Sequence, residues 1–166
     1  TGALSATSWR HVKFIEQLSD GGGADPGRWL MMSDVCKHCV TAPCQQACPT
    51  GAIIHNEFEN VFIQPDICNG CSSCVSACPF GVVQFSEATG TVHKCTLCYD
   101  RTSAGMVPAC AQACPTASIQ YGPIDELMQR ARQRVVTLQA SGEKKARIYG
   151  DTDVLGGLNS FYLLVD

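Results

Sequence analysis

The spacing of the cysteines constrains the fold of this chain more than any other feature. Twelve cysteines occur among 166 residues, in three groups that each end in Cys-Pro. The groups are Cys36, Cys39, Cys44 and Cys48; Cys68, Cys71, Cys74 and Cys78; and Cys95, Cys98, Cys110 and Cys114. Because only 7% of the residues are aromatic, the apolar core is thin, and we expect sulfur-ligated groups to replace part of it.

The second group has the Cys-x2-Cys-x2-Cys-x3-Cys-Pro spacing of the bacterial ferredoxin run that holds [4Fe–4S] clusters. A cube of this type needs four thiolates, one for each iron. The loop brings three sulfurs to one cube, and in two-cluster ferredoxins the last cysteine ligates the other cluster. The spacing therefore predicts [4Fe–4S] clusters, with two groups exchanging their last cysteines.

Structural zinc and disulfide bonds are the alternatives for these cysteines. A single Cys-x2-Cys often binds zinc, and an even number of cysteines in a small chain is typical of disulfide scaffolds. Zinc binding does not explain why a third cysteine comes two residues after the Cys-x2-Cys pair and why a fourth precedes proline. Disulfide scaffolds do not normally repeat one local arrangement of cysteines three times. We therefore favour clusters, and without metal we expect the cysteine-rich middle not to fold, because ligation supplies folding free energy.

The charge and hydropathy of the chain exclude some classes of partner. The net charge is −3, whereas nucleic-acid binding requires a basic face. No stretch approaches the roughly 20 apolar residues that span a bilayer, and we recognise no signal peptide. The sequence thus predicts neither a nucleic-acid partner nor a transmembrane segment in this chain.

Three repeats, QQACPTGAII, VSACPFGVVQ and AQACPTASIQ, contain the Cys-Pro endings and indicate a duplicated unit. Apolar runs on either side of polar turns predict two β-hairpins, and the spacing of apolar residues predicts one long helix. The predicted elements are an extended or mixed segment at 8–18, a glycine-rich loop at 21–27, hairpins from 52–55 with 60–63 and from 82–85 with 91–94, short helices at 43–47 and 72–77, a long helix at 123–140 and a strand at 161–165.

These elements predict the α+β class, as a tandem bacterial-ferredoxin-like domain with two [4Fe–4S] clusters, short β-hairpins, short helices and little regular structure. We divide the chain into an N-terminal segment of the same fold (1–35), a two-cluster domain (36–94), a further cysteine group (95–122) and a C-terminal helix and strand (123–166).

Four stretches carry a resemblance to a known family: LSATSWRHVKF at 4–14, VCKHCVTAPCQQACPTGAI at 35–53, CNGCSSCVSACPFGV at 68–82 and HKCTLCYDRTSAGMVPACAQACPTASIQYG at 93–122. In this order they resemble the iron–sulfur (beta) subunits of molybdenum or tungsten formate dehydrogenases, which belong to the four-cluster ferredoxin-like subunits of bis-pterin oxidoreductases. That family has an earlier cysteine group upstream, and its membrane-bound members often have a transmembrane helix near the C-terminus. We therefore expect this chain to be a fragment of such a subunit.

The resemblance also implies a ligand set for each cluster. The first cube would take Cys36, Cys39, Cys44 and Cys78, and the second Cys68, Cys71, Cys74 and Cys48. Cys95, Cys98 and Cys110 would hold a third, whose fourth ligand lies outside the chain, and Cys114 would contribute to a fourth. Alternatively, Cys95, Cys98, Cys110 and Cys114 close a third cube by themselves.

The function that the resemblance implies is electron transfer, with no catalytic residue in this chain. Electrons would pass from a molybdenum or tungsten bis-pterin catalytic subunit, through the cubes, to a membrane cytochrome b subunit or another acceptor. The alternatives are the same role beside a polysulfide, nitrate or dimethyl sulfoxide reductase, and an adaptor with structural clusters. The implied location is a membrane-associated complex on the periplasmic face, with the cytoplasm as the alternative.

Two side chains near the cysteines are candidates for tuning the clusters, and a third is a candidate for packing against one. His38 lies inside the first Cys-x2-Cys, and Lys94 directly precedes Cys95. A cation at either position stabilises the reduced form of a cluster, because that form carries more negative charge. The alternative for both is a solvent-facing side chain. Phe80, which follows Cys78-Pro79, is expected to pack against a cube.

Overall fold

Short strands pair two at a time along this chain. The computed structural model describes residues 3–18 and 27–166. The antiparallel pairs are β1 (His11–Gln17) with β2 (Arg28–Asp34), β3 (Ile53–His55) with β4 (Val61–Ile63), β5 (Gln84–Ser86) with β6 (Thr91–His93), and β7 (Arg147–Tyr149) with β8 (Tyr162–Leu164). Each pair forms a separate two-stranded sheet. Much of the packing of these strands therefore comes from the segments that connect one sheet to the next.

Among the described residues, four helices are one turn or slightly longer, and a fifth is the long element of the fold. They are α1 (Pro43–Gln46), α2 (Ser73–Ala77), α3 (Tyr99–Thr102), α4 (Ala109–Gln112) and α5 (Ile124–Ala140). Helix α5 follows Pro123 and carries Asp125 and Glu126 in its first turn, where acidic side chains interact favourably with the helix dipole.

Several predicted elements are confirmed. The two hairpins, the helices at 43–47 and 72–77, the long helix and the C-terminal strand all form within one or two residues of their predicted bounds. The segment at 8–18 contains β1, whereas β2, β7, α3 and α4 were not predicted. The predicted glycine-rich loop falls, apart from Gly27, outside the described residues.

The three repeats share one backbone turn. In each, a short helix leads into Cys-Pro, and the third residue after the cysteine has a left-handed backbone, with φ of 67° at Gly51, 64° at Gly81 and 51° at Ala117. The N–H of this residue donates to the cysteine carbonyl at 3.4, 3.2 and 3.3 Å, respectively. The third repeat therefore places an alanine in a conformation that favours glycine.

Cysteine supplies a large share of the buried core. The central cluster of buried residues combines small aliphatic side chains with cysteines: Cys39, Ala42, Cys44, Ile53, Val61, Cys74, Val83, Val92 and Leu158. The hairpins β3–β4 and β5–β6 contribute Ile53, Val61 and Val92, so each hairpin packs against the loops that carry the cysteines.

A C-terminal segment, which we call the strap (residues 155–160), runs along the first cysteine loop. The N–H groups of Val40 and Thr41 donate to the carbonyls of Gly157 and Leu155 at 3.0 and 2.9 Å. In return, strap N–H groups donate to the carbonyls of Lys37 and His38, at 2.9 and 3.1 Å. The strap therefore fixes the loop between Cys36 and Cys44 by backbone hydrogen bonds from the far end of the chain.

Candidate functional site

Four cysteines from two different groups line one cavity. Cys36, Cys39 and Cys44 come from the first group, and Cys78 comes from the second. We call these four the first set. The rest of the cavity wall is mainly apolar and includes Phe80, which the sequence analysis expects to pack against a cube. The other lining residues are Lys37, Ala42, Pro43, Val61, Pro79, Val82 and Val83.

Burial controls the acidity of the thiols in the first set. It raises the pKa of Cys39 to about 11, with a further contribution from the neighbouring Cys36 and Cys78. It also raises the pKa of Cys44 to about 12. These thiols are therefore neutral without metal, and a metal that binds them must displace their protons.

Cys48 lies among the cysteines of the other group. Burial raises the pKa of Cys74 to about 11, and the charges of Cys48, Cys68 and Cys71 act in the same direction. We call these four the second set. Its members are more accessible than those of the first set, since Cys71 is exposed and Cys48 and Cys68 are half-buried.

Cys95, Cys98 and Cys110 are all half-buried, and we call them the third set. The Leu97 N–H donates to Cys95 Sγ at 3.4 Å, in a turn where Leu97 and Cys98 both have left-handed backbones. Inward-pointing N–H groups of this type stabilise negative charge on sulfur.

Cys114 has different surroundings. Its pKa falls to about 6 because of hydrogen bonds from Ser118 and Thr116, with smaller contributions from the backbone N–H groups of residues 118 and 119. The two hydroxyl oxygens lie 3.1 and 3.5 Å from its Sγ. The contacts that shift its pKa thus come from its own turn rather than from the third set.

The two candidate tuning residues are both buried. His38 and Lys94 are 0% and 2% exposed, so the solvent-facing alternative is wrong for both. Burial and the nearby Lys94 charge hold the pKa of His38 well below its usual value, which opposes its predicted role as a cation. Lys94 remains a candidate.

A polar network beside the first set was missed by the sequence analysis. The Lys37 ammonium, buried next to the cavity, donates to Asp34 Oδ1 at 2.9 Å, to the Val35 carbonyl at 2.8 Å and to the Tyr162 hydroxyl at 2.8 Å. Lys13 pairs with Asp34 Oδ2 at 2.7 Å. The only available signal was a lysine inside a Cys-x2-Cys motif, and its partners lie far apart in the chain.

The donor set fits a sulfur-ligated group. All twelve cysteines are free thiols, and the first cavity brings four of them together with no carboxylate in its lining. Across residues 3–18 and 27–166, no three or more His, Cys, Asp or Glu side chains form a group that could hold a single metal ion. Four thiols lining one cavity suit a cube, which takes one thiolate per iron.

Comparisons with known proteins agree with this chemistry. The profile of the family described as "4Fe-4S dicluster domain" matches residues 27–124. The chain is 40% identical over 162 residues to the iron–sulfur subunit of the nitrate-inducible formate dehydrogenase of Escherichia coli, a match that covers 97% of this chain and 53% of that subunit. It is 38% identical to the formate dehydrogenase iron–sulfur subunit of Haemophilus influenzae, over 97% of this chain and 50% of that protein.

A second type of relative matches a shorter region. One polypeptide of the anaerobic dimethyl sulfoxide reductase of Escherichia coli is 40% identical over 99 residues, which are 60% of this chain and 48% of that protein. The chain thus spans about half the length of these relatives. Within the described residues, no helix has the length and apolar character needed to cross a bilayer.

Proposed function

Because the chain belongs to the family of 4Fe-4S dicluster domains, we propose that it transfers electrons within an iron–sulfur subunit of the formate dehydrogenase type. The observation that carries this proposal is the gathering of two sets of four cysteines, each drawn from two groups. Bound clusters supply one-electron redox chemistry. The protein residues would fix the positions of the clusters, exclude water and set their potentials.

We propose ligand sets on the same basis. The first set would hold one cube, and the second set would hold its neighbour in a tandem ferredoxin-like arrangement. The third set would hold part of another cube, completed by a cysteine outside this chain. Cys114 would contribute to a fourth, as the resemblance to the formate dehydrogenase iron–sulfur subunits implies. The domain boundaries at 35, 94 and 122 follow these sets and stay predictions.

The partner would be a molybdenum or tungsten bis-pterin catalytic subunit. Oxidation of formate to carbon dioxide releases one proton and two electrons. The electrons would leave that subunit one at a time, toward a cytochrome b or another acceptor. A membrane-associated complex on the periplasmic face, with the cytoplasm as the alternative, stays a prediction.

An exposed apolar face supports association with another protein. In the β1–β2 pair, Phe14 lies opposite Met31, and Trp29 is two residues before Met31 on the same face. These three side chains are 68%, 72% and 71% exposed. Contiguous apolar surface of this type is typical of protein interaction sites.

The proposal is tested by isolating the native complex without air and identifying its large subunit. We expect a bis-pterin protein, and we expect formate to bleach the visible absorption of the clusters. The match to the dimethyl sulfoxide reductase polypeptide favours a second candidate, in which dimethyl sulfoxide reoxidises the reduced complex and formate has no effect. Clusters that dithionite cannot reduce would contradict both candidates and would indicate an adaptor.

A further inference from the structure

Lys94 occupies a buried position between two sets of cysteines. It follows β6 directly and precedes Cys95. Its ammonium group donates to the carbonyl oxygen of Val61, a residue of the first cavity wall, and to the carbonyl oxygen of Cys95 at 3.1 Å. One side chain therefore connects the wall of the first cavity to the loop that begins the third set.

The positive charge of Lys94 has only neutral oxygens as hydrogen-bond partners in the part of the chain that the structure describes. Lys37, by comparison, has a carboxylate partner in Asp34. Moving a cation out of water is costly unless an anion compensates it. The burial of Lys94 therefore points to a negative group nearby.

The Lys94 charge reaches cysteines of both sets, in addition to His38. Burial raises the pKa of Cys44, and Lys94 is the largest influence that opposes the increase. The same charge opposes the increases at Cys39 and at Cys95. Because the ammonium contacts both the Val61 carbonyl and the Cys95 carbonyl, the wall of the first cavity and the first cysteine of the third set meet at this lysine.

We propose that Lys94 is a counter-ion shared by the first and third sets. Bound clusters would bring the thiolates of both sets, and with them the negative charge that the buried ammonium lacks. Its charge would stabilise the reduced form at both positions, so that one residue raises two potentials together. This inference rests on the proposed function, because it requires clusters in both sets.

Lys37 provides a matched comparison inside the same protein. It is also a buried lysine, it lines the first cavity, and its charge is shared with Asp34. We therefore expect Lys37→Met to shift the potential of the first set alone. A purely structural role for Lys94, as a link between Val61 and Cys95, would lower cluster content without shifting any potential.

The test is a redox titration of the anaerobically purified complex, followed by electron paramagnetic resonance. Cys44→Ser and Cys98→Ser first assign the signals of the two sets. Lys94→Gln keeps a hydrogen-bond donor and removes the charge, and Lys94→Met removes both. We expect both Lys94 variants to shift two midpoint potentials to more negative values, whereas the exposed-site control Lys145→Gln shifts none.

The possible outcomes separate this inference from the proposed function. Two shifted potentials support the shared counter-ion. One shifted potential, or none, overturns it while leaving the electron-transfer proposal intact. If Lys94→Met loses its clusters, the potentials of Lys94→Gln decide the question. If both Lys94 variants lose their clusters while the Lys145→Gln complex retains them, the shared-charge role is rejected in favour of a structural one. Absence of cluster signals in the unmodified complex would contradict the proposed function and this inference with it.

Discussion

The first and second sets of cysteines both begin with Cys-x2-Cys but have different surroundings. Cys36, Cys39 and Cys44 are buried, whereas Cys74 is the buried member of the second set and Cys71 is exposed. Two lysine side chains, Lys37 and Lys94, are buried close to the first set. The comparison shows that cysteine spacing determines which sulfur atoms can bind a cluster, whereas the rest of the fold determines the burial and the charges around them.

Burial and charge act in opposite directions at the first set. Reduction adds negative charge, and an unpaired ion in a protein interior carries a penalty of several kcal/mol. A buried cation within a few ångströms offers a compensating interaction of the same order, about 4 kcal/mol at 4 Å for an effective dielectric constant near 20. The penalty for this added negative charge is smaller at the second set, because water reaches Cys71. The potential of the second set therefore depends more on solvent exposure, whereas the potential of the first set depends more on nearby charges.

Removal of iron should have the largest effect and should abolish the difference between the two sets. Cysteines form much of the core, and the hairpins pack on the loops that carry them. Because ligation free energy contributes directly to folding, we expect residues 36–122 to lose most of their hydrogen-exchange protection in the metal-free protein. Mass spectrometry of exchanged peptides measures this loss. Native-like protection in the metal-free chain would contradict the account.

Exchange of the last cysteines is tested by comparing serine variants. Cys39→Ser and Cys71→Ser disturb the first and second sets, respectively, in either ligand arrangement. We expect Cys78→Ser to reproduce the electron paramagnetic resonance spectrum of Cys39→Ser, because Cys78 lines the first cavity. The matched variant Cys48→Ser should reproduce Cys71→Ser. The opposite pairing would show that each group closes its own cube.

Gly70→Ala should damage the second set selectively. Gly70 has φ of 71°, and a Cβ there would lie 2.1 Å from the Gly90 carbonyl oxygen. Both the left-handed backbone and the collision with main chain oppose the substitution. We expect a loss of about four iron atoms per chain, one cube of the [4Fe–4S] type, with the first-set signal retained. Full iron content in this variant would show that the Gly70–Gly90 contact does not hold the second loop.

The smallest expected effects concern the turns after Cys-Pro. Ala117→Gly should stabilise the protein by about 1 kcal/mol, because a left-handed backbone costs an alanine roughly 1–2 kcal/mol and the freedom of glycine in the unfolded chain offsets part of this gain. Gly51→Ala is the reverse substitution at an equivalent position with open space around it, and it should destabilise by a similar amount. Anaerobic urea unfolding, followed by loss of visible absorption, measures both. Effects of equal sign would contradict the equivalence of the turns.

Local signals explain which parts of the fold the sequence predicts. The hairpins β3–β4 and β5–β6 have polar turns between apolar runs, and α5 has a regular apolar face. Strand β2, with the sequence RWLMMSD, lacks a simple alternation of apolar and polar residues. Helices α3 and α4 are too short to show a period.

Long-range contacts explain what the sequence does not predict at the site. The strap pairs with residues more than a hundred positions earlier in the chain, as in the bond from the Asn159 N–H to the His38 carbonyl. Lys37 likewise reaches Tyr162. Such pairs leave no local pattern, so the burial of His38 and the network around Lys37 could not be anticipated from spacing.

The most direct test of the central claim, that these cysteines hold cubane clusters, is the iron and acid-labile sulfide content of protein prepared without air. Two complete sets predict brown material with broad visible absorption and at least about eight iron and about eight sulfide per chain. Colourless protein without iron, or with zinc bound in its place, would contradict the account.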